Sequence, residues 1–190
     1  MCQKQTISTK RIVLAALMAA LTIVGSAIRI TMPIDIAGTT SFHLGNIMCA
    51  LSGILLGPWL GGLAAGMGSA IYDMFNPLYI SEAWITFLTK GLYGVATGLV
   101  VYAWKNKPWG YPRAIIGTLA GALTYALLYL SKSYFYSGML LQGLSADAAW
   151  AIVIAKLPAT IFNMVVALIF APVLAVAIRK ALKQAHLTLE

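Results

Sequence analysis

The feature that most constrains this chain is a set of long apolar runs without a charged residue, such as 12–28 and 44–72. Crossing the hydrocarbon of a membrane takes about 20 mostly apolar residues. The chain is 61% hydrophobic and only 9% charged, whereas about 25% of the residues of a soluble domain are charged. The runs therefore exclude a water-soluble protein and predict one membrane domain over residues 1–190.

Basic residues lie mostly at the ends of the apolar runs, where the positive-inside rule places them in the cytoplasm. We therefore read the net charge of +8 as a topology signal and expect no nucleic-acid partner. Gly57-Pro58 divides the run 44–72, and because proline disfavours a helical residue before it, a kinked helix and a two-helix hairpin both fit. Only the hairpin puts the basic residues after segment four on the same side as those at both termini, so we predict the hairpin.

The predicted fold class is all-α: a polytopic membrane protein with six transmembrane helices and both termini cytoplasmic. The predicted helices are 12–30, two within 44–72, 83–104, 114–130 and 148–178. The outer loops are then 31–42, 74–82 and 133–147, and they hold most of the acidic residues. The first run is expected to be a retained helix rather than a signal peptide. Cys2 and Cys49 cannot form a disulfide framework or a Cys/His metal cluster.

Small residues recur on one face of the first segment. Ala15, Ala16, Ala19 and Ala20 form two overlapping pairs at a spacing of four, which allows another helix to approach closely. The face could pack inside the bundle or dock onto a partner membrane subunit, and the pattern alone leaves both open.

Ionisable side chains within membrane segments are costly and by default indicate a functional site. Lys90 and Lys156 each lie about two turns into a helix from the outer side, so we predict that both face a ligand cavity. Arg29 and Asp73 close the outer ends of segments one and three, where snorkelling to headgroups explains them equally well. Asn163 shares the helix face of Lys156 and could line the cavity or bond to another helix.

Aromatic side chains gather at the same level, including Trp84, Tyr125 and Tyr129. An interfacial belt explains many of them, but some could stack on a flat ring in a mostly apolar pocket with a few polar atoms. His43 and Asn46 open segment two at this level. The candidate substrate-binding residues are Arg29, His43, Asn46, Trp84, Lys90, Tyr125, Tyr129, Lys156 and Asn163.

Motifs of several other protein classes do not occur in the sequence. There is no G-x-x-x-x-G-K-[ST] phosphate loop, so the chain is not expected to be an ATPase by the usual route. H-E-x-x-H, G-x-S-x-G and paired-carboxylate patterns also do not occur. We therefore expect neither an enzyme nor a catalytic cofactor or metal.

The chain resembles the substrate-binding S components of energy-coupling factor (ECF) vitamin transporters. The resemblance is carried by three motifs: His43-Leu-Gly-Asn46, Leu56-Gly-Pro-Trp-Leu-Gly61 and Gly66-Met-Gly-Ser-Ala-Ile-Tyr-Asp73. It implies a protein of the bacterial plasma membrane that captures a vitamin in an outward-facing pocket and works with a transmembrane coupling subunit and two cytoplasmic ATPases. It also implies that Ala15, Ala16, Ala19 and Ala20 contact the coupling subunit, and that toppling of the S component releases the ligand.

The group that the chain resembles includes proteins for riboflavin, pyridoxine-like or hydroxymethylpyrimidine compounds, and cobalamin. Lysines and an arginine facing aromatic rings would suit a ring with hydroxyl, carbonyl or phosphate acceptors, so we expect a small pyridine or pyrimidine vitamin or precursor. Cobalamin and riboflavin remain open. A stand-alone facilitator or secondary transporter, and a structural subunit whose lysines pair with Asp73 or Glu82, are the alternative functions.

Overall fold

The structure is a computed structural model that describes residues 8–33, 39–103 and 109–185. Within these residues the chain forms six α-helices: α1 (Thr9–Ala27), α2 (Gly45–Leu56), α3 (Pro58–Met74), α4 (Ala83–Val101), α5 (Tyr111–Lys132) and α6 (Ala146–Gln184). Four helical stretches are long and apolar enough to cross a membrane, namely Thr9–Ala27, Ile80–Val101, Tyr111–Leu141 and Ala146–Gln184. The helices α2 and α3 are shorter, with 12 and 17 residues. The expected helical membrane fold is therefore present.

The run 44–72 forms two helices, which confirms the predicted hairpin over the kinked helix. Gly57 separates them with a φ of 82°, a left-handed backbone that residues with a side chain disfavour. Its N–H bonds to the carbonyl of Gly53 and closes α2. Pro58 then starts α3. The N–H of the first residue of a helix has no intrahelical partner, so proline, which has no N–H, loses no hydrogen bond at this position. The Gly-Pro pair thus encodes a reversal without a loop.

The predicted outer loop 31–42 contains parts of two strands that the sequence did not indicate, and the predicted end of the first helix at residue 30 is wrong. Residues Arg29–Pro33 (β1) and Thr39–His43 (β2) form an antiparallel β-hairpin in which Arg29 lies opposite His43. The helix α1 ends at Ala27, so Arg29 belongs to a strand and not to the end of the predicted helix 12–30. Asp35, assigned to this loop, lies outside the described residues.

The predicted loop 133–147 is also wrong in its first half. Residues Ser133–Leu141 continue α5 as a π-helix, and only 142–145 separate this helix from α6. Ser133 and Ser137 are buried, so the π-helix turns serine hydroxyls toward the bundle. The side chain of Ser145 then caps α6 by accepting a hydrogen bond from the N–H of Ala148.

The α2–α3 turn lies at the same end of the bundle as the start of α1 and the end of α6. Arg11 Nη2 donates to the carbonyl of Leu56 at 2.9 Å, and the hydroxyl of Tyr102 donates to the carbonyl of Ile54 at 3.0 Å. Arg179 Nη1 donates to the carbonyl of Trp109, which precedes α5, at 2.6 Å. We call this end of the bundle, around Gly57, the turn end, and the opposite end, around the β-hairpin, the cavity end. Trp104, Lys105 and Lys107 lie outside the described residues.

Candidate ligand-binding site

A cavity of about 90 Å³ lies between the helices at the cavity end. Its lining residues all carry polar or ionisable groups, and they come from the β-hairpin, the segment between α3 and α4, and every α-helix except α2: Ser26, Arg29, Thr40, Ser41, His43, Ser69, Asp73, Tyr79, Glu82, Thr86, Thr89, Lys90, Tyr125, Tyr129, Lys132, Lys156, Thr160 and Asn163. Seven of the nine predicted binding residues, all except Asn46 and Trp84, line this cavity, and they come from five elements: β1, β2, α4, α5 and α6.

Lys90 lies deep in this cavity. It is only 4% exposed, and its ammonium donates a hydrogen bond to Oδ1 of Asn46 from α2. The same nitrogen lies 3.9 Å from the centre of the Tyr125 ring, a cation–π geometry. Asn46 is buried and does not line the cavity. Its role is to hold Lys90.

Three tyrosines form a stacked row that runs from the core to the cavity. The ring centres of Tyr93 and Tyr125 are 5.8 Å apart, and those of Tyr125 and Tyr129 are 5.5 Å apart. Tyr125 and Tyr129 lie four residues apart on α5, so their side chains share one face. The row gives the cavity an aromatic wall.

Lys156 approaches the same wall from α6. It is 5% exposed, its ammonium donates to the hydroxyl of Ser133 at 3.3 Å, and it lies 5.5 Å from the centre of the Tyr129 ring. Like Lys90, it has neutral partners. Within the described residues neither lysine forms an ion pair with a carboxylate.

The sequence reasoning missed an ion pair at the mouth of the cavity. Lys132 Nζ lies 2.5 Å from Glu82 Oε2, and the hydroxyl of Ser137 donates to Glu82 Oε1 at 2.8 Å. Lys132 also lies 5.6 Å from the Tyr129 ring. Its spacing of three residues from Tyr129 and seven from Tyr125 puts it on the same helix face, which is a signal that could have identified it.

The β-hairpin is bonded to α6 through Asn163. The backbone N–H of His43 donates to Asn163 Oδ1 at 3.0 Å, and Asn163 Nδ2 donates to the carbonyl of Ser41 at 2.8 Å. The side chains of Ser41 and Tyr79 share a further hydrogen bond of 3.2 Å. Asn163 thus joins a helix to a strand, rather than one helix to another, and it fixes one wall of the cavity.

His43 ends strand β2 and faces the cavity. Burial, together with the positive charges of Lys90 and Arg29, holds the pKa of His43 well below its usual range, so its ring is neutral at pH 7. Its Nδ1 accepts a hydrogen bond from the N–H of Gly45 at 3.2 Å. The remaining ring nitrogen, Nε2, then carries the proton and can donate to a ligand.

Arg29 lies across two aromatic rings at the edge of the cavity. Its guanidinium carbon is 4.3 Å from the centre of the Tyr72 ring and 4.9 Å from that of Tyr79. Its Nε donates to the carbonyl of Ser26 at 2.7 Å. These contacts place a positive charge in the cavity wall.

Trp84 lies away from the other predicted binding residues. It is 57% exposed, does not line the cavity, and packs edge-on against Tyr136 with ring centres 5.7 Å apart. An exposed tryptophan packed on a half-buried tyrosine at this level fits the interfacial belt.

The structure separates the two alanine pairs of α1. Ala15 and Ala19 are half-buried and pack against the core, and the carbonyl of Ala19 closely faces Gly68 of α3. Ala16 and Ala20 are exposed. Packing therefore accounts for one pair, and the other pair is free for a partner. Among the described residues no group of His, Cys, Asp and Glu side chains could hold a metal ion.

Known proteins resemble this chain over most of its length. The model of the family described as ECF-type riboflavin transporter, S component, matches residues 6–180. A protein of Pyrococcus woesei, described as an uncharacterized protein in the gap 3′ region, is 35% identical over 120 residues, which are 63% of this chain and 74% of that protein. Since the family match covers nearly the whole chain, the resemblance inferred from the sequence is confirmed. The chain belongs to the family of ECF-type riboflavin transporter S components.

Proposed function

We propose that this chain captures a small vitamin or vitamin precursor in the cavity described above and delivers it to an ATP-driven ECF transporter. The partners are a transmembrane coupling subunit and two cytoplasmic ATPases. The observation that carries the proposal is the pair of buried lysines, Lys90 and Lys156, which line a cavity rather than pair with carboxylates.

The lysines support a binding function because of what their burial costs. A buried ammonium is expensive unless it is paired and hydrogen-bonded, and intramembrane ionisable residues by default mark a ligand or ion pathway. A structural subunit would bury such groups as ion pairs. Lys132 and Glu82 are such a pair, whereas Lys90 and Lys156 contact an amide, a hydroxyl and aromatic rings.

The turn end is proposed to face the cytoplasm. Basic residues lie there at the start of α1, at the start of α5 and at the end of α6, and the positive-inside rule assigns such an end to the cytoplasm. They are Lys10, Arg11, Arg113, Arg179, Lys180 and Lys183. The cavity end then faces outward, as capture from outside requires.

The size of the cavity favours a single substituted ring. A water molecule needs about 10–15 Å³ of cavity volume measured in this way, so the cavity of 90 Å³ has room for roughly six to nine waters. In the liquid, that number of waters occupies about 180–270 Å³. This suits a pyridine or pyrimidine vitamin or precursor better than cobalamin. Riboflavin, named in the family description, is the comparison ligand in the binding test that follows.

Binding is tested with the purified chain in lipid nanodiscs against pyridine and pyrimidine vitamins, riboflavin and cobalamin. We expect Lys90→Ala to weaken binding by about 1–3 kcal/mol, because it strands the polar partners of a buried site. Lys183→Ala, at an exposed position on α6, is the control and should bind like the wild type. A structural subunit would bind none of these ligands, and unchanged affinity in Lys90→Ala would remove this lysine from the site.

Coupling to ATP is tested by reconstituting the chain in liposomes with and without the coupling subunit and ATPases. We expect uptake only with all partners and ATP present. Uptake by the chain alone would instead identify a facilitator or secondary transporter.

The docking face is tested with Ala16→Leu, because Ala16 is exposed whereas Ala15 and Ala19 pack inside. We expect loss of ATP-driven uptake, since a larger side chain prevents close helix approach, and a ligand affinity within about twofold of the wild type. Ala177→Leu, at an exposed position on α6, should support normal uptake. Normal uptake by Ala16→Leu would show that this face does not dock.

A further inference from the structure

The charges around the cavity do not balance. The lining contains four cationic side chains and two carboxylates, namely Arg29, Lys90, Lys132 and Lys156 against Asp73 and Glu82. Lys132 and Glu82 neutralise each other at 2.5 Å. Three cations therefore face one carboxylate in the rest of the lining, an excess of two positive charges.

The two deepest cations are the least compensated. Lys90 and Lys156 are 4% and 5% exposed, and within the described residues no carboxylate oxygen lies within 4 Å of either ammonium. Their partners are the amide of Asn46, the hydroxyl of Ser133 and two tyrosine rings. Such neutral groups orient an ammonium but do not cancel its charge, and an uncompensated buried charge is strongly unfavourable.

We propose that the ligand carries an acidic group, a carboxylate or a phosphate, and that Lys90 and Lys156 supply its counter-charges. This inference rests on the proposed function, the capture of a small molecule in this cavity. The aromatic wall of Tyr125 and Tyr129 contacts the ring of the ligand, and the acidic group lies among the ammonium groups. Asp73, the carboxylate of the lining that no lysine neutralises, can accept a hydrogen bond from an N–H or O–H of the same ligand.

The chain itself offers the contrast that supports this assignment. Where a lysine of this site is neutralised by the protein, as Lys132 is by Glu82, the carboxylate lies in direct contact and is fixed by Ser137. In the part of the chain that the structure describes, no corresponding carboxylate lies beside Lys90 or Lys156. A bound anion would complete both contacts with charge-assisted hydrogen bonds, which are roughly twice as strong as neutral ones.

The test separates the charge of the ligand from the existence of a ligand. A small-molecule extract, such as yeast extract, is divided on an anion-exchange column into an anionic pool and a pool of neutral and cationic compounds. Each pool is added to the purified chain in nanodiscs, and bound compounds are detected by native mass spectrometry. We expect a mass adduct from the anionic pool alone.

The other outcomes are distinct. An adduct of equal or greater intensity from the neutral and cationic pool overturns the acidic-ligand inference and leaves the capture function standing. Absence of an adduct from both pools counts against the capture function itself, and the inference falls with it.

Substitution of a lysine then tests the assigned counter-charges. Lys156→Met keeps an apolar chain of similar length without the charge, and we expect it to weaken binding of the anionic compound by about tenfold or more. Lys156→Arg retains the charge and should bind more tightly than Lys156→Met, while Lys183→Met should match the wild type. Wild-type affinity in Lys156→Met overturns the assignment. If Lys156→Met does not fold, Lys90→Met provides the same comparison at the second ammonium.

Discussion

Toward the turn end of the bundle, α2, α3 and α4 approach one another through glycines, whereas the cavity end encloses a space lined by lysine, tyrosine and hydroxyl side chains. A β-carbon on Gly53 would lie 2.5 Å from the carbonyl oxygen of Gly94, and one on Gly62 would lie 2.8 Å from that of Gly91. Around Lys90 and Tyr125, by contrast, the side chains enclose a cavity. One end is fixed by backbone contact, and the other is shaped by side chains.

This difference separates the packing of the bundle from the chemistry of the cavity. Small residues let transmembrane helices pack closely without a hydrophobic driving force, so the turn end can keep its geometry whatever lines the cavity. We therefore expect substitutions at the cavity end to change ligand binding and to leave the packing of the bundle in place. The predictions below test this division, beginning with the largest expected effect.

The most direct test of close helix packing toward the turn end is Gly94→Ala. The added β-carbon would lie 2.8 Å from the Cα of Gly62 and 3.0 Å from the carbonyl oxygen of Gly61, and both are backbone atoms that cannot rotate away. We expect a loss of about 1–3 kcal/mol in the free energy of unfolding, the usual cost of overpacking. Thermal unfolding in detergent or nanodiscs measures it.

Gly91→Ala is the matched control one turn earlier on α4. Its β-carbon would lie 3.5 Å from the nearest atom, an ordinary contact, and alanine favours a helix by up to about 1 kcal/mol over glycine. We expect equal or higher stability. Similar losses in both variants would mean that helix packing does not depend on close backbone approach at Gly94.

At the cavity end, Asn163→Ala removes both hydrogen bonds between α6 and the β-hairpin. We expect the hairpin to loosen and ligand affinity to fall by about 1 kcal/mol, roughly fivefold, since polar contacts within membrane proteins are worth about this much. Hydrogen exchange of residues 39–43 should rise in the same variant. Gln142→Ala, an exposed amide, should alter neither quantity, and unchanged exchange in Asn163→Ala would show that other contacts hold the hairpin.

The helical frame of this protein could be read from the sequence, because its causes are local. Charge-free runs give the helices, and Gly57-Pro58 gives the reversal between α2 and α3. The depth of Lys90 and Lys156 follows from counting turns along their helices. The β-hairpin was missed because its strands are only five residues long and Arg29 resembled the end of a helix, although the β-branched residues Thr31, Thr39 and Thr40 favour strands.

The partners within the site could not be read in the same way, because they are distant in sequence. Lys132 and Glu82 are 50 residues apart, Lys90 and Asn46 are 44 apart, and Asn163 and His43 are 120 apart. No helical period relates such pairs. The division of the alanine face into a packed pair and an exposed pair likewise depends on where α3 lies, which only the tertiary structure determines.

The smallest expected effect is at the turn end, where Arg179 forms a polar contact. The comparison of the two ends predicts that ligand binding does not depend on this contact. The Arg179 guanidinium stacks 4.6 Å from the centre of the Trp109 ring and donates to the Trp109 carbonyl. Arg179→Lys keeps the charge but loses the planar stack, and we expect a loss of about 0.5–1 kcal/mol in unfolding free energy with no change in ligand affinity. Lys180→Ala, which is exposed, serves as the control. If Arg179→Lys weakened ligand binding as much as Asn163→Ala does, the two ends would be coupled, and the turn end could not be the fixed frame on which the cavity varies.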